Sequence, residues 1–145
     1  MPNEKANVSL KQKEKLFRLA LSAREQAYCV YSQFAVGASV LFDDGSYASG
    51  SNIENASYGA TVCAERVAIW SGIKENKKRR IVAVCVVTDQ EDPWPPCGQC
   101  LQVISEFALP TTTILMGNLK GLRSFIRFLK LWEHPFAPQF LQVRD

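Results

Sequence analysis

The sequence has no long hydrophobic run and little excess charge. Its longest apolar stretch, Ile81–Val87, is far shorter than the roughly 20 residues that a membrane-spanning helix needs. Residues 1–5 are polar and contain no apolar signal core. The net charge of +3 over 145 residues does not by itself argue for nucleic-acid binding. We therefore expect a cytoplasmic protein with neither a membrane nor a nucleic-acid partner.

Histidine is also scarce, and the number of cysteines is odd. The chain has one histidine, His134, and five cysteines. An odd count that includes a CxxC pair indicates metal binding before disulfides. Cys85 lies within an apolar stretch and is expected to be a small buried side chain, while Cys29 belongs to no motif. The candidate metal ligands are therefore the three remaining thiols.

Those three thiols belong to two short motifs, CAER starting at Cys63 and PCGQC starting at Pro96. Cys97 and Cys100 are spaced so that both sulfurs can reach one ion from the first turn of a helix, and Cys63 can supply a third thiolate. Soft thiolate ligands favour zinc. Three protein ligands leave a fourth position open for water, as in catalytic zinc sites. Glu65 follows Cys63 by two residues and is suitably placed to carry protons there.

With a third motif, these residues resemble the small, three-cysteine cytidine deaminases. The sequence NIENA begins at Asn52, eleven residues before Cys63, and the resemblance runs from about residue 31 to residue 102. Three motifs at the right separations are specific, whereas a lone CxxC is not. The resemblance implies a zinc enzyme that acts on a small nucleoside, with a three-layer α/β/α fold around a mixed five-stranded sheet.

The resemblance also implies roles for individual residues. The metal ligands are Cys63, Cys97 and Cys100, and the catalytic acid and base is Glu65. Asn52 and Glu54 bind the 3′-hydroxyl of the sugar, and the other substrate-binding residues are Phe34, Tyr58, Ala64 and Phe136. A carboxylate beside the 3′-hydroxyl repels a phosphodiester, so a polynucleotide should fit badly.

Three thiolates around a dipositive ion leave the group with a net negative charge, which makes the metal a weaker acid. Positive potential must therefore come from elsewhere. Cys63 and the pair formed by Cys97 and Cys100 all fall at predicted helix N-termini, which favour thiolates. Arg66 follows Cys63 by about one helical turn and can point its guanidinium at the sulfurs. The family usually has a further arginine at the position of Leu101, so one positive charge is missing here.

The hydrophobic pattern predicts alternating helices and strands in a single domain, residues 1–145. Helices are predicted over residues 10–28, 61–75, 96–107 and 129–133. Strands are predicted over residues 35–42, 47–53, 81–88, 112–116 and 122–128. Alternation of this kind indicates an α/β sandwich with a mixed sheet.

The predicted reaction is zinc-dependent hydrolytic deamination of cytidine and 2′-deoxycytidine to uridine and 2′-deoxyuridine, with release of ammonia, in pyrimidine salvage. One alternative is a deaminase of another aminopyrimidine such as blasticidin S. A polynucleotide editor is a second, supported by the basic residues 77–80, although such a run is more typical of a solvated connection. A third is a non-catalytic module with structural zinc, which needs a fourth ligand from Cys29, Cys85 or His134.

Large aromatic residues predict an oligomer. One core of this size is not expected to hold all of the large aromatic side chains, which include Trp70, Trp94, Trp132 and those of the C-terminal segment. Surplus aromatic residues are typical of interfaces. The resemblance implies a homotetramer with shared pockets. Tyr58 and Phe136 are then expected to serve the pocket of a neighbouring chain.

Overall fold

The computed structural model describes residues 8–141, so the polar residues 1–5 lie outside the described residues. The helices are α1 (Leu10–Arg24), α2 (Ala64–Ile73), α3 (Gly98–Phe107) and α4 (Phe128–Leu131). The strands are β1 (Gly37–Phe42), β2 (Tyr47–Ser51), β3 (Ile81–Val87), β4 (Ala108–Asn118) and β5 (Gly121–Arg127). Within residues 8–141, none of the helices combines the length and apolarity needed to cross a bilayer.

The five strands form one mixed sheet in the order β2-β1-β3-β4-β5. Strand β1 is antiparallel to both β2 and β3, β3 and β4 are parallel, and β4 and β5 are antiparallel. A parallel pair needs a crossover connection, and α3 lies within the crossover from β3 to β4. The loop after β3 therefore leads directly to the CxxC motif at the start of α3.

Helices cover both faces of the sheet, which confirms the predicted three-layer fold. On one face α1 packs through Leu16 and Ala20 in a cluster with Leu41, Cys85 and Leu115. On the other face the helices pack in a cluster that includes Ala68, Ile69, Ile104, Val40, Val84 and Ile114. Strand β1 is buried along its whole length because both of its faces are covered. Cys85 is fully buried in β3, as predicted.

Helix α1 starts where the sequence predicts but ends earlier. The Gln12 backbone N–H donates to Ser9 Oγ, and the Ser9 N–H donates to Gln12 Oε1, which forms the predicted capping box. The predicted end at Tyr28 is wrong, because Tyr28 pairs with Ile53 in an isolated bridge and its N–H donates to the Asn52 carbonyl. The helix ends at Arg24.

The starts of α2 and α3 also differ from the prediction. Val62 exchanges two backbone hydrogen bonds with Ile53, each 3.0 Å long, so α2 begins at residue 64 and not at 61. Cys63 is its N-cap. Likewise Cys97 is the N-cap of α3, and Pro96 precedes the cap and does not occupy the first helical position. Two of the three motif cysteines therefore stand immediately before a helix.

Other predicted boundaries shift by a few residues. Strand β1 starts at residue 37 and not at 35, since the Val36 N–H donates to the Asn52 side chain. Strand β2 ends at residue 51 and not at 53, β4 is longer than predicted at both ends, and α4 spans residues 128–131 in place of 129–133. In each case a contact distant in sequence, or direct continuation into the next element, decides the boundary.

Candidate active site

The three motif cysteines meet between the N-termini of α2 and α3. Their sulfur atoms all lie within 4.8 Å of one another, and Cys63 Sγ is 3.7 Å from Cys97 Sγ. Cys100 is buried, Cys63 half-buried and Cys97 exposed. The backbone N–H groups in the first turn of a helix have no intrahelical partner and carry the positive end of the helix dipole. This position therefore favours the thiolate form of the cysteines.

Among residues 8–141, the cluster has three members and no fourth. Cys29, Cys85 and His134 are not part of it. Cys85 packs with α1 against the opposite face of the sheet, and His134 lies in the C-terminal segment. A structural zinc site normally has four protein ligands, whereas a catalytic one has three. The arrangement is thus that of an open metal site.

Arg66 supplies positive charge to the sulfurs. Its Nη2 donates to Cys63 Sγ at 3.6 Å, and its guanidinium lies 5.9 Å from the centre of the Trp70 ring. Its Nε is buried and has no hydrogen-bond partner in the described part of the chain. A guanidinium with an unused buried donor fits a site that carries extra negative charge, as three thiolates on Zn²⁺ would.

One of the thiols is already acidic in this geometry. A hydrogen bond from the Cys100 thiol and another from Arg66 lower the pKa of Cys63 to about 5, although burial opposes the shift. The pKa of Cys100 is raised, first by this hydrogen bond to Cys63 and then by burial. Cys63 therefore provides a thiolate at neutral pH. The donor set and its charge balance both fit zinc.

Glu65 is enclosed beside the sulfurs. It is 4% exposed, and the Cys100 thiol donates a hydrogen bond to its Oε2 at 3.0 Å. Burial raises the pKa of this carboxyl group, because its charged form loses hydration. A carboxyl group with a raised pKa is suited to accept and return protons near neutral pH.

A cavity of about 240 Å³ opens beside the sulfurs. Two of the cysteines, Cys63 and Cys97, line it together with Glu65. The rest of its lining is mostly apolar: Phe34, Val36, Asn52, Thr61, Val62, Ala64, Val86, Thr88 and Trp94. An apolar cavity with a few convergent polar groups is typical of small-molecule sites. The predicted substrate-binding residues Phe34, Asn52 and Ala64 are therefore next to the metal-site residues.

Asn52 uses its side chain to hold the backbone around Phe34. Its Oδ1 accepts a hydrogen bond from the Val36 N–H at 2.9 Å, and its Nδ2 donates to the Phe34 carbonyl at 2.8 Å. These two bonds fix the segment that carries the aromatic ring. Each Asn52 polar atom keeps one further hydrogen-bonding position for a ligand.

Glu54 and Tyr58 line a neighbouring pocket and not the cavity itself. Glu54 Oε1 accepts hydrogen bonds from the N–H groups of Tyr31 and Ser32 at 2.9 and 3.0 Å, and the Ser32 hydroxyl donates to Oε2. These bonds lower the pKa of Glu54, and the bond from the Ser32 hydroxyl has the largest effect. Thr61 lines both pockets, which shows that they adjoin.

Phe136 does not reach the cavity of its own chain. It is 55% exposed, stacks on Phe140 with 5.9 Å between ring centres, and lines a groove formed by the C-terminal segment. Its carbonyl accepts a hydrogen bond from Gln102 Nε2 at 2.8 Å. This bond ties the segment to α3.

Sequence reasoning missed Trp94 as a cavity residue. Its ring stacks on Phe34 with 4.8 Å between ring centres and 22° between ring planes. The signal in the sequence is the segment DPWPP, which places a tryptophan between prolines just before Cys97. Composition alone assigns this tryptophan only to surplus aromatic surface.

The basic residues 77–80 are partly committed to structure. The Arg79 side chain is 14% exposed and pairs with Asp44 at 2.8 Å and Glu75 at 3.5 Å. The Arg80 N–H donates to the Asp43 side chain. These contacts tie the segment before β3 to the turn between β1 and β2, while residues 77, 78 and 80 are exposed, in line with the predicted solvated connection.

Comparison with known proteins places this site in a family. The chain is 49% identical over 109 residues to the cytidine deaminase of Halalkalibacterium halodurans, covering 75% of this chain and 82% of the relative. The cytidine deaminase of Sporosarcina psychrophila is 46% identical over 108 residues, covering 74% and 79%. Both alignments extend well beyond the short motifs.

Solved structures agree. The fold matches the crystal structure of cytidine deaminase from Burkholderia pseudomallei with a TM-score of 0.77 and 37% identity, over 85% of this chain and 98% of that one. Cytidine deaminase from Mycobacterium tuberculosis matches with a TM-score of 0.70 and 35% identity, over 85% and 95%. Residues 10–116 match the family model of the cytidine and deoxycytidylate deaminase zinc-binding region. The chain belongs to the cytidine and deoxycytidylate deaminase family.

Proposed function

We propose that the protein catalyses the zinc-dependent hydrolytic deamination of cytidine and 2′-deoxycytidine to uridine and 2′-deoxyuridine, and that it serves pyrimidine salvage in the cytoplasm. The observation that carries the proposal is the open three-thiol cluster with buried Glu65 beside it, at the end of an apolar cavity. The similarity to proteins named cytidine deaminase supports it.

Cys63, Cys97 and Cys100 would hold the zinc ion, and Arg66 would offset the negative charge of the three thiolates. When bound, zinc supplies the activation of the water molecule that attacks the pyrimidine ring. The positions of Cys63 and Cys97 at helix N-termini add to the positive potential that this activation needs.

Glu65 would move the protons. Hydrolysis consumes one water molecule and releases one molecule of ammonia, so each proton that leaves the water must reach the substrate. Glu65 accepts one proton from the attacking water and passes it to ring nitrogen N3. It then takes the second proton from the hydroxyl group now on the ring carbon and delivers it to the amino group, which leaves as ammonia when the carbon–nitrogen bond breaks. Its buried position keeps these transfers away from bulk solvent.

The cavity would hold the base, and the adjoining pocket would hold the sugar. A volume of about 240 Å³ lies below the roughly 300–1,000 Å³ typical of pockets for drug-sized ligands, which suits one base. Asn52 and Glu54 would bind the 3′-hydroxyl through their remaining acceptor and donor positions. Because its pKa is lowered, Glu54 is ionised at neutral pH and would repel a phosphodiester at that hydroxyl.

Two competing functions have less support. A structural zinc module needs a fourth ligand, and the described residues offer none at the cluster. A polynucleotide editor needs free basic surface, and Arg79 is already paired with two carboxylates. The choice between cytidine and another aminopyrimidine such as blasticidin S depends on the sugar contacts.

The test is to measure zinc content and ammonia release on the same preparation. We expect one zinc ion per chain and rapid ammonia release from free cytidine and 2′-deoxycytidine. Blasticidin S and a single-stranded oligonucleotide serve as competing substrates. Preferred turnover of either would replace the proposal, and stoichiometric zinc without any deamination would indicate a binding module.

Replacing Arg66 with alanine is expected to weaken zinc retention and turnover by about 10- to 100-fold, as for other residues that support metal ligands. The change removes the cation that donates to Cys63. Zinc affinity measured by competition with a chelator checks this. Arg80→Ala is the matched control, because Arg80 is exposed and distant from the sulfurs in sequence. Equal zinc affinity in both variants would contradict the role of Arg66.

We also propose a homotetramer with shared pockets. Trp70 remains 46% exposed on α2, next to an apolar groove that includes Ile53 and Val67. Tyr58 and Phe136 are exposed, and Phe136 does not contact the cavity of its own chain. Such aromatic surface is typical of a protein interface. A neighbouring chain would complete each pocket with these two residues.

A complementation experiment tests this sharing. Phe136→Ala should raise KM while leaving zinc bound, and mixing its chains with Glu65→Gln chains should restore some complete sites. Sedimentation measures the assembly at the assay concentration. A fully active monomer, or mixtures with only the averaged activity of the two variants, would exclude shared pockets.

A further inference from the structure

The outer wall of the cavity is a pair of stacked aromatic rings. Trp94 lies on Phe34 with 4.8 Å between ring centres and an angle of 22° between ring planes, and both rings line the cavity that also contains Glu65. Trp94 is nevertheless 49% exposed. A large aromatic ring that is half exposed at a cavity edge offers apolar surface that a bound planar ring can cover.

The loop that carries Trp94 is held at both ends. Before it, the Asn118 side chain donates to the Glu91 carbonyl at 3.1 Å, and Arg24 pairs with Asp89 at 3.6 Å. After it, the Cys97 carbonyl accepts a hydrogen bond from the Leu101 N–H at 2.9 Å in the first turn of α3. The loop that positions the Trp94 ring is therefore anchored at both ends.

Prolines restrict the loop further. Trp94 stands between Pro93 and Pro95, with Pro96 following. Proline fixes its own φ angle and confines the preceding residue to extended conformations, so little backbone entropy remains to be lost when a ligand binds. The partner ring is equally constrained, since Asn52 bonds the backbone on both sides of residue 35.

We propose that Trp94 is a substrate-positioning residue: it holds the Phe34 ring in place and, with it, forms a preorganised aromatic wall against the pyrimidine base. The inference rests on the proposed function. The wall acts on binding and not on proton transfer, because neither aromatic ring has a group that gains or loses a proton near neutral pH. A residue with this role influences KM more than kcat.

Trp94→Ala should therefore raise KM for cytidine by roughly 2- to 10-fold, the range expected for loss of one aromatic pair, with kcat nearly unchanged. Trp94→Phe keeps a stacking ring and should restore most of the affinity. Phe125→Ala is the matched control, since Phe125 is a comparably exposed aromatic residue on β5 outside the cavity. It should leave both constants unchanged.

A binding measurement without turnover provides the second readout. Uridine, the product, should change the tryptophan fluorescence of the wild-type protein, and this change should be largely lost in Trp94→Phe, which retains Trp70 and Trp132. Zinc content and thermal melting of each variant show whether the site and fold persist. This readout does not depend on the alanine variant being folded.

The outcomes separate this inference from the proposed function. An inactive wild-type protein would reject the function itself. An active wild-type protein whose KM is unaffected by Trp94→Ala, or whose uridine-dependent fluorescence persists in Trp94→Phe, would overturn the role of Trp94. A fall in kcat with unchanged KM would also overturn it, because the wall would then act on chemistry.

Discussion

Replacing Glu65 with glutamine is expected to remove nearly all turnover while the fold and the bound zinc persist. General acid and base steps typically contribute about 10²–10⁴-fold, and here one carboxyl group would serve several transfers in one cycle. Glutamine has nearly the same volume, so it fits the same enclosed position. It cannot accept and return a proton.

The burial of Glu65 makes this substitution informative. The residue is enclosed, so a solvent-exposed carboxylate cannot readily take its place. Glu75→Gln is the matched control, because the same change then falls on an exposed residue beyond the end of α2. Ammonia release, zinc content and thermal melting should be compared for both variants. Near-normal turnover of Glu65→Gln would mean that another group carries the protons.

The sequence was sufficient for the fold class and for the grouping of the three thiols. Period-2 and period-3.6 patterns predict the alternating elements, and the mixed five-stranded sheet is confirmed. CxxC spacing requires Cys97 and Cys100 to lie close together. Cys63 was the third candidate thiolate, and the structure brings its sulfur within 4.8 Å of the other two.

Local sequence patterns do not predict which distant segments of the chain pair with each other. The bridge of Ile53 with Val62 delays the start of α2 and makes Cys63 a cap, a contact that helical periodicity does not encode. Ser32 holds Glu54 through both its N–H and its hydroxyl, although 22 residues separate them. Local propensity is a weak prior wherever such tertiary contacts compete with it.

The Trp94 wall shows the same limit at the site itself. Stacking on Phe34 joins residues 60 positions apart, and the sequence gives no direct sign of it. The flanking prolines indicate a stiff loop but not the direction of the ring. Aromatic residues near a metal motif therefore require a structure before they can be divided between core, interface and pocket.

Replacing Cys97 with alanine is expected to abolish stable zinc binding and, with it, activity. Structural zinc in four-ligand peptides is bound by roughly 10–16 kcal/mol, so one thiolate is worth about 3–4 kcal/mol, or roughly 10²–10³-fold in affinity. Loss of Cys97 would leave two thiolates, with no other cysteine or histidine of residues 8–141 at the cluster to replace it.

The position of Cys97 allows the metal effect to be separated from unfolding. Its side chain is exposed and makes no capping hydrogen bond to α3, so its removal creates no buried cavity and loses no cap. Cys29→Ala is the matched control, since Cys29 is a free, half-buried thiol outside the cluster and should keep one zinc ion per chain. Metal analysis after dialysis against a chelator, with thermal melting in parallel, measures both effects. If Cys97→Ala retains stoichiometric zinc, the ion is held by a different set of ligands and the three-thiol site is wrong.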